Sequence, residues 1–193
     1  MKILVIDNYD SFTYNLVYIL RQEYSEIEVY RNDKISPKQC LSYEAIILSP
    51  GPGLPKDAGN LTLIISTCAG KVPIFGVCLG HQAITEYLGG SLRMLDSVYH
   101  GVQSTITIVD STSKIFKTLP QTFQAGRYHS WEVATEENKK IEITAITEDK
   151  SIMAIQNKSL HLYGIQFHPE SILTPKGATI IQNFLSICKD LKQ

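Results

Sequence analysis

Residues 73–82, of sequence PIFGVCLGHQ, constrain the fold of this chain more than any other stretch. They predict a short apolar strand that runs directly into a helix, with Cys78 at the bend. Gly76 and Gly80 flank the cysteine, and because glycine has no Cβ they let strand and helix pack closely at so sharp a turn. The free N–H groups at the start of the helix favour negative charge, so the pattern predicts a reactive thiolate.

The alternative is that Cys78 is a buried, unreactive cysteine, as most free cysteines are. Cys40, Cys68 and Cys188 lack the strand-to-helix setting, and we expect them to be of this unreactive kind. Cys78 differs from them only if the fold supplies a base for the thiol and a group that orients the base.

Length, charge and cysteine content indicate the number of domains, the kind of partner and the cellular setting. At 193 residues the chain suits one compact domain, residues 1–193, with a sizeable core. A net charge of −1 and well-mixed charged residues provide no surface for nucleic acid or membrane, so we expect small molecules or proteins as partners. Four cysteines without a repeated spacing, and an apolar start interrupted by Asp7 that is too short for a signal peptide, predict a reducing, cytoplasmic setting.

Strands and helices are predicted to alternate through the first half: strands over 2–6, 27–30, 45–48 and 72–77, helices over 12–24, 57–69 and 79–90. The second half is richer in strands, over 103–109, 122–128, 141–147, 152–156 and 162–167, and closes with a helix over 176–191. This order indicates an α/β fold with an open, mostly parallel sheet, helices on both faces, and additional antiparallel strands in the second half.

Ligands of such sheets bind at the carboxyl ends of the strands, where the turns after residues 6, 48 and 77 lie. The turn at 49–55, SPGPGLP, is too rich in proline and glycine for a helix or a strand, so we expect a rigid exposed turn. Its Gly51 N–H, together with that of Leu79 after the cysteine, could stabilise an oxyanion. The alternative is a surface turn without such a role.

A base and its orienting group are predicted where the strand at 162–167 ends in His168-Pro169-Glu170. Residues two apart in an extended segment project to the same side, so His168 and Glu170 can converge, while Pro169 ends the strand pairing. Cysteine chemistry needs a histidine that takes the thiol proton and a carboxylate that holds the imidazole. The alternative is an ordinary strand end, and the distance in sequence from Cys78 does not decide between the two.

Three motifs together resemble the triad-type (class I) glutamine amidotransferase family over nearly the whole chain: SPGPG at 49–53, GVCLGHQ at 76–82 and GIQFHPES at 164–171. The resemblance implies a flavodoxin-like sheet, a cysteine that attacks the carboxamide of glutamine, release of ammonia, and a glutamyl thioester that water hydrolyses. By position it implies that Cys78 is the nucleophile, His168 the base and Glu170 the third member, with Gly51 and Leu79 as oxyanion donors. It implies no metal or cofactor in this chain.

The family's glutamine-binding segments align with Gly51, Pro52, Gly53, Gln82, Ser130 and Trp131. Gln82 lies one helical turn after Cys78 on the same side, so its amide could meet a substrate held at the thiol; the alternative is an exposed helix residue. Ser130 and Trp131 are expected to end a strand and to pair with glutamine through their backbone, since the family often has leucine at the tryptophan position. His81 and His129 are expected to pack and hydrogen-bond rather than react.

Segments 7–16, 127–130 and 171–174 resemble the subunits that supply chorismate-using enzymes, those of anthranilate synthase and of aminodeoxychorismate synthase, and one subunit can serve both. Gly53 and the segment YHGV at 99–102 favour anthranilate synthase. The chain has no room for a chorismate-binding domain, so the resemblance implies a larger synthase subunit that receives the ammonia and is expected to use Mg²⁺. The docking candidates are the turns after residues 6 and 77, together with 99–102.

Two other functions use the same fold. The first is a thiol hydrolase that acts without a partner, such as a peptidase or a γ-glutamyl hydrolase; the glycine and proline turn and Gln82 favour glutamine over this. The second is a non-catalytic binding subunit, against which the complete set of Cys78, His168 and Glu170 argues.

Overall fold

The computed structural model of the chain describes residues 1–135 and 138–191. In chain order its strands and α-helices are β1 (Ile3–Asp7), α1 (Thr13–Arg21), β2 (Ile27–Arg31), β3 (Ala45–Leu48), α2 (Leu61–Cys68), β4 (Ile74–Val77), α3 (Leu79–Tyr87), β5 (Ser91–Met94), β6 (Val102–Ile108), β7 (Thr122–Arg127), β8 (Trp131–Ala134), β9 (Glu142–Ile146), β10 (Ile152–Asn157), β11 (Leu162–Ile165) and α4 (Gly177–Asp190). Short 3₁₀-helices lie at Gln39–Ser42, Pro55–Asp57 and Lys114–Phe116.

The main sheet has the strand order β2-β1-β3-β4-β11-β10-β9-β6-β7. Strands β2, β1, β3, β4 and β11 pair in parallel. The strands from β11 to β7 pair antiparallel. This arrangement confirms the predicted fold class, a flavodoxin-like open sheet extended by antiparallel strands from the second half of the chain.

Every residue of the parallel strands β1, β3, β4 and β11 is buried, whereas the edge strand β2 is half-buried to exposed. Since successive side chains point to opposite faces, both faces of these inner strands are covered. One face, with Ile3, Val5 and Phe75, packs against α1 and α4. The other face, with Leu4 and Ile6, packs against α2 and α3. The helices therefore cover both sides of the sheet and leave its carboxyl edge open for the turns that follow the strands. No α-helix in the described ranges is long and apolar enough to cross a bilayer.

Two local predictions are wrong. The predicted helix over 57–69 is divided, because Gly59 takes a left-handed backbone (φ +53°) between the 3₁₀-helix Pro55–Asp57 and α2. A second, two-stranded sheet of β5 and β8 was not predicted, and Trp131 begins β8 instead of ending a strand. Strand β8 is short, and its pairing with β5 joins residues about forty apart in sequence, so local pattern could not find it.

Candidate active site

Cys78 occupies the bend between β4 and α3, in a strained backbone conformation with φ 51° and ψ −99°. A Cβ at Gly76 would lie 2.4 Å from the carbonyl carbon of Gly80, and a Cβ at Gly80 would lie 2.7 Å from Leu48 Cβ. These positions must be glycine because backbone atoms would otherwise collide. Only 6% of Cys78 is exposed, so the residue is nearly buried.

His168 and Glu170 converge as the spacing predicts. Nδ1 of the imidazole lies 2.6 Å from Oε1 of Glu170, and the carboxylate is fully buried. The hydrogen bond directs the other ring nitrogen, Nε2, away from the carboxylate. Nε2 has no hydrogen-bond partner in the parts of the chain that the structure describes, so it is free to exchange a proton.

The electrostatics of His168 follow from its two neighbours. Burial lowers the pKa of His168, but interaction with the neighbouring Cys78 and Glu170 outweighs burial and raises the pKa of His168 to about 10. The imidazole is therefore a cation at neutral pH. In this form the imidazole can give a proton to a departing amine.

Aromatic rings and backbone hydrogen bonds hold the imidazole in place. The rings of Phe12 and Tyr128 lie 5.9 and 4.9 Å from that of His168, centroid to centroid. The His168 N–H donates to the Gly126 carbonyl at 3.0 Å, and the Thr174 hydroxyl donates to the His168 carbonyl at 2.7 Å. Phe12 and Tyr128 were not predicted, because they come from the turn after β1 and from the end of β7, which the sequence does not place next to His168.

The turn after β3 packs Gly51 against Leu79, the two residues that are predicted to supply the oxyanion donors. A Cβ at Gly51 would lie 2.6 Å from both Asn8 Cβ and Leu79 Cδ2, so the glycine allows the turn to approach the start of α3. Asn8 anchors the turn: its Nδ2 donates to the Ser49 carbonyl at 2.7 Å and its backbone N–H to Ser49 Oγ at 2.9 Å. Asn8 was not singled out from the sequence. Pro52 and Gly53 are exposed at the tip of the turn.

Gln82 is buried and takes part in a hydrogen-bond network, so it is not an exposed helix residue. Its Nε2 donates to the Trp131 carbonyl at 2.9 Å and to Oε1 of Gln166 at 3.2 Å. The amide of Gln166 in turn lies 3.5 Å from the Cys78 sulfur. Gln166 was overlooked in the sequence, although a polar residue among buried apolar neighbours is a signal that could have found it.

The backbone of Ser130 and Trp131 already makes hydrogen bonds in this structure. The Ser130 carbonyl accepts from the Leu95 N–H at 2.9 Å. The Trp131 carbonyl accepts from Gln82 and lies 2.8 Å from Nδ1 of His129. The binding of glutamine by this backbone stays a prediction.

The two other histidines near the site are neutral. Burial and the nearby His129 lower the pKa of His81 to about 3, and its ring packs against Gly164. Burial is also the main cause that lowers the pKa of His129 to about 4, and its Nε2 accepts a hydrogen bond of 3.0 Å from Nε of Arg127. Both residues pack as expected, and His129 also forms the expected hydrogen bonds. The expectation of hydrogen bonds is wrong for His81, because neither nitrogen of its ring has a hydrogen-bond partner among the described residues. Within the described ranges no group of three or more His, Cys, Asp or Glu could hold a metal ion.

The sequence is similar to known proteins over nearly the whole chain. The family model "Glutamine amidotransferase class-I" matches residues 4–188. The chain is 44% identical over 196 residues to anthranilate synthase component 2 of Lactococcus lactis, and covers 97% of that protein. It is also 44% identical to part of the multifunctional tryptophan biosynthesis protein of Phycomyces blakesleeanus, of which it spans only 25%.

A solved structure supports the fold at lower sequence similarity. The chain superposes with a TM-score of 0.85 on a putative GMP synthase subunit from Thermoplasma acidophilum, at 24% identity, and the match covers 100% of this chain and 96% of the other.

Proposed function

Because the chain belongs to the class-I glutamine amidotransferase family, we propose that it is the glutaminase subunit of an anthranilate synthase. It hydrolyses L-glutamine and delivers ammonia to a larger, chorismate-binding subunit. The observation that carries the proposal is the strained Cys78 beside a histidine whose Nδ1 lies 2.6 Å from a buried carboxylate. The names of the relatives, anthranilate synthase component 2 among them, support the choice of pathway.

The reaction begins when the Cys78 sulfur attacks the side-chain carbonyl carbon of glutamine. The carbonyl oxygen becomes an oxyanion that the Leu79 and Gly51 N–H groups stabilise, which is worth about 10²- to 10³-fold in rate for each donor. The His168 cation gives its proton to the departing nitrogen, so ammonia leaves and a thioester remains.

The second half of the reaction restores the enzyme. His168, now neutral, takes a proton from water, and the resulting hydroxide attacks the thioester carbon. Glutamate and the Cys78 thiolate are released, and His168 is again a cation held by Glu170. The proton that left with ammonia is thus replaced by one from water, and the new carboxylic acid of glutamate loses its proton to the solvent.

The experiment that tests this proposal distinguishes the activity of this chain from that of its partner subunit. Cys78→Ser should abolish anthranilate formation from chorismate and glutamine by the complex, since serine beside His168 is a much weaker nucleophile. Anthranilate formation from chorismate and ammonium salts should survive, because it needs only the partner's chemistry. Loss of both activities would mean that Cys78 supports the structure of the complex. If wild-type chain mixed with the anthranilate synthase partner gave no anthranilate at all, the pathway would be wrong.

The docking surface is proposed to lie beside the triad and to include two exposed apolar side chains, Val102 and Ile172. These side chains are 43% and 94% exposed. Gln103 Nε2 donates to the Leu173 carbonyl at 2.9 Å, which joins the start of β6 to the loop after Glu170. A partner seated there would cover the edge of the sheet from which ammonia leaves.

A pair of charge substitutions tests this surface. Val102→Glu with Ile172→Glu should raise the Kd for the partner subunit at least about tenfold, because a carboxylate in an apolar contact is costly. Val109→Glu is the matched control: Val109 is 49% exposed and follows the opposite end of β6. Equal Kd values for the two variants, measured by titration calorimetry, would place the docking surface elsewhere.

Two further expectations belong to the proposal. We place the reaction in the cytoplasm, because Cys78 must remain a thiol to react and Cys40, Cys68 and Cys188 are also free thiols. We assign any Mg²⁺ requirement to the larger subunit, since the chemistry of the cysteine route needs only a nucleophile, a base and oxyanion donors.

A further inference from the structure

Gln166 is a fully buried polar residue at the carboxyl end of β11, between Ile165 and Phe167. Its backbone N–H donates to the Met153 carbonyl at 2.9 Å, which fixes its place beside the sheet. Its side-chain Nε2 lies 3.5 Å from the Cys78 sulfur, and its Oε1 accepts from Gln82. A buried amide is costly unless both of its ends are bonded, and here one end is bonded to the nucleophile itself.

The direction of these hydrogen bonds is fixed by a group that cannot turn. The Trp131 backbone carbonyl only accepts, so Gln82 must present its NH₂ group to that carbonyl. The same NH₂ group reaches Gln166, so Gln166 must present its oxygen to Gln82. Its NH₂ group is then the end that faces the Cys78 sulfur.

The other neighbour of the Trp131 carbonyl agrees with this assignment. Arg127 Nε can only donate, so Nε2 of His129 must be the acceptor of their hydrogen bond. In a neutral imidazole Nδ1 then carries the proton and donates to Trp131. The carbonyl thus accepts from both His129 and Gln82, and this holds the Gln82 amide in one orientation.

We propose that Gln166 is a further catalytic residue, whose N–H donates to the Cys78 sulfur and stabilises the thiolate. The inference rests on the proposed glutaminase reaction and adds to it a donor on the thiolate besides the His168 cation. Because an amide N–H does not give up its proton, Gln166 can stabilise and orient the thiolate without protonating it. Gln82 acts through Gln166 as a positioning residue, in addition to its predicted contact with glutamine.

The test measures the thiolate directly, without glutamine or a partner. Iodoacetamide reacts with thiolates, so the rate of alkylation at Cys78, followed by peptide mass spectrometry from pH 5 to 9, reports the pH at which the thiolate forms. Gln166→Leu should move the midpoint of this profile upward by about one pH unit, the size of one hydrogen bond to a charged acceptor. The alkylation rate at pH 6 should fall about tenfold.

Gln166→Glu sharpens the test, because glutamate has the same shape but places a carboxylate oxygen towards the sulfur. Repulsion between the carboxylate and the thiolate should shift the midpoint further than leucine does. Should the leucine variant fail to fold, this isosteric variant decides alone. Gln156→Leu is the matched control: Gln156 is also fully buried, but its amide donates to Asp110 and Glu142. It should lose stability and leave the alkylation midpoint unchanged.

The proposal is overturned if both Gln166 variants have the same alkylation midpoint as the wild type. Gln166 would then serve only in packing. A shift in all three variants, Gln156→Leu included, would assign the effect to general loosening of the fold and would also overturn it. A shift confined to Gln166, in a chain that releases no ammonia from glutamine with its partner, would support the thiolate contact and reject the proposed function.

Discussion

At the scale of single residues, the site depends on a buried charge pair. The His168 cation and the Glu170 carboxylate are both withdrawn from water, and each is stabilised by the other at 2.6 Å. Removing one member of such a pair is costly because the remaining charge loses its partner. The pair also gives the protein a pH dependence whose sign follows from the raised pKa of His168.

We predict that Glu170→Gln lowers the free energy of unfolding by about 2 kcal/mol at pH 6, the size of a hydrogen bond to a charged group. The pKa of His168 rises to about 10 in the folded chain, against about 6.5 for an unperturbed histidine. Stabilisation of the cation is therefore complete below about pH 6.5 and is lost as pH rises towards 10. The difference between wild type and variant, measured by urea unfolding, should shrink over this range.

Glu132→Gln is the control for that prediction. Glu132 is buried, and its Oε1 lies 2.5 Å from Nη2 of Arg93. Arginine keeps its charge throughout pH 6 to 10, so this variant should lose a constant amount of stability over the range. If the difference in free energy of unfolding between wild type and Glu170→Gln were also constant from pH 6 to 10, the pKa of His168 would not be raised as expected.

At the scale of elements, the site depends on how the turns after neighbouring strands are joined. Strands β1 and β3 pair in parallel, so the turns that follow them start at the same edge. Asn8, in the first of these turns, donates to Ser49 in the second and accepts a hydrogen bond of 3.1 Å from Asn32. One side chain therefore ties three segments together and sets the position of Gly51.

We predict that Asn8→Ala reduces kcat for glutamine hydrolysis about tenfold or more, because Gly51 no longer holds its N–H at the oxyanion. Stability should fall by about 1–3 kcal/mol, since Ser49 and Asn32 lose buried hydrogen bonds. Asn60→Ala is the matched control: its Nδ2 donates to the Ile35 carbonyl at 3.1 Å, away from the triad. It should lower the melting temperature while kcat stays unchanged, and an equal loss of kcat in both variants would refute the role of Asn8.

At the scale of the whole molecule, one sheet carries two apolar clusters. Phe75, on the face covered by α4, lies 5.1 Å from Phe184, centroid to centroid, and its neighbour Ile74 lies in the cluster on the opposite face. Loss of packing in the cluster on one face of the sheet should therefore also destabilise the cluster on the other face. The prediction of one domain over residues 1–193 requires this coupling.

We predict that Phe184→Ala lowers the free energy of unfolding by about 3–5 kcal/mol and leaves a single transition. Trp131, the single tryptophan of the chain, reports on the small β5 and β8 sheet, whereas far-ultraviolet circular dichroism reports on all helices and strands. Urea midpoints from the two signals should coincide in the wild type and in the variant. Separate midpoints would mean that the chain unfolds as two units.

Sequence alone determined the features that depend on neighbours along the chain. The bend at Cys78 follows from an apolar strand followed by glycine on either side, and the approach of His168 to Glu170 follows from the two-residue repeat of an extended segment. The alternation of strands and helices was enough for the fold class, since parallel strands require crossover helices.

Tertiary structure decided which separate segments meet. The order of strands in the sheet brings Asn8 to Ser49, the ring of Phe12 to His168, and Gln166 to Cys78. These contacts join residues that are far apart in sequence, and no local pattern specifies them, because sheet order and register are set by packing of the whole chain. The candidate reacting groups could therefore be named from the sequence, whereas the contacts that position these groups could not.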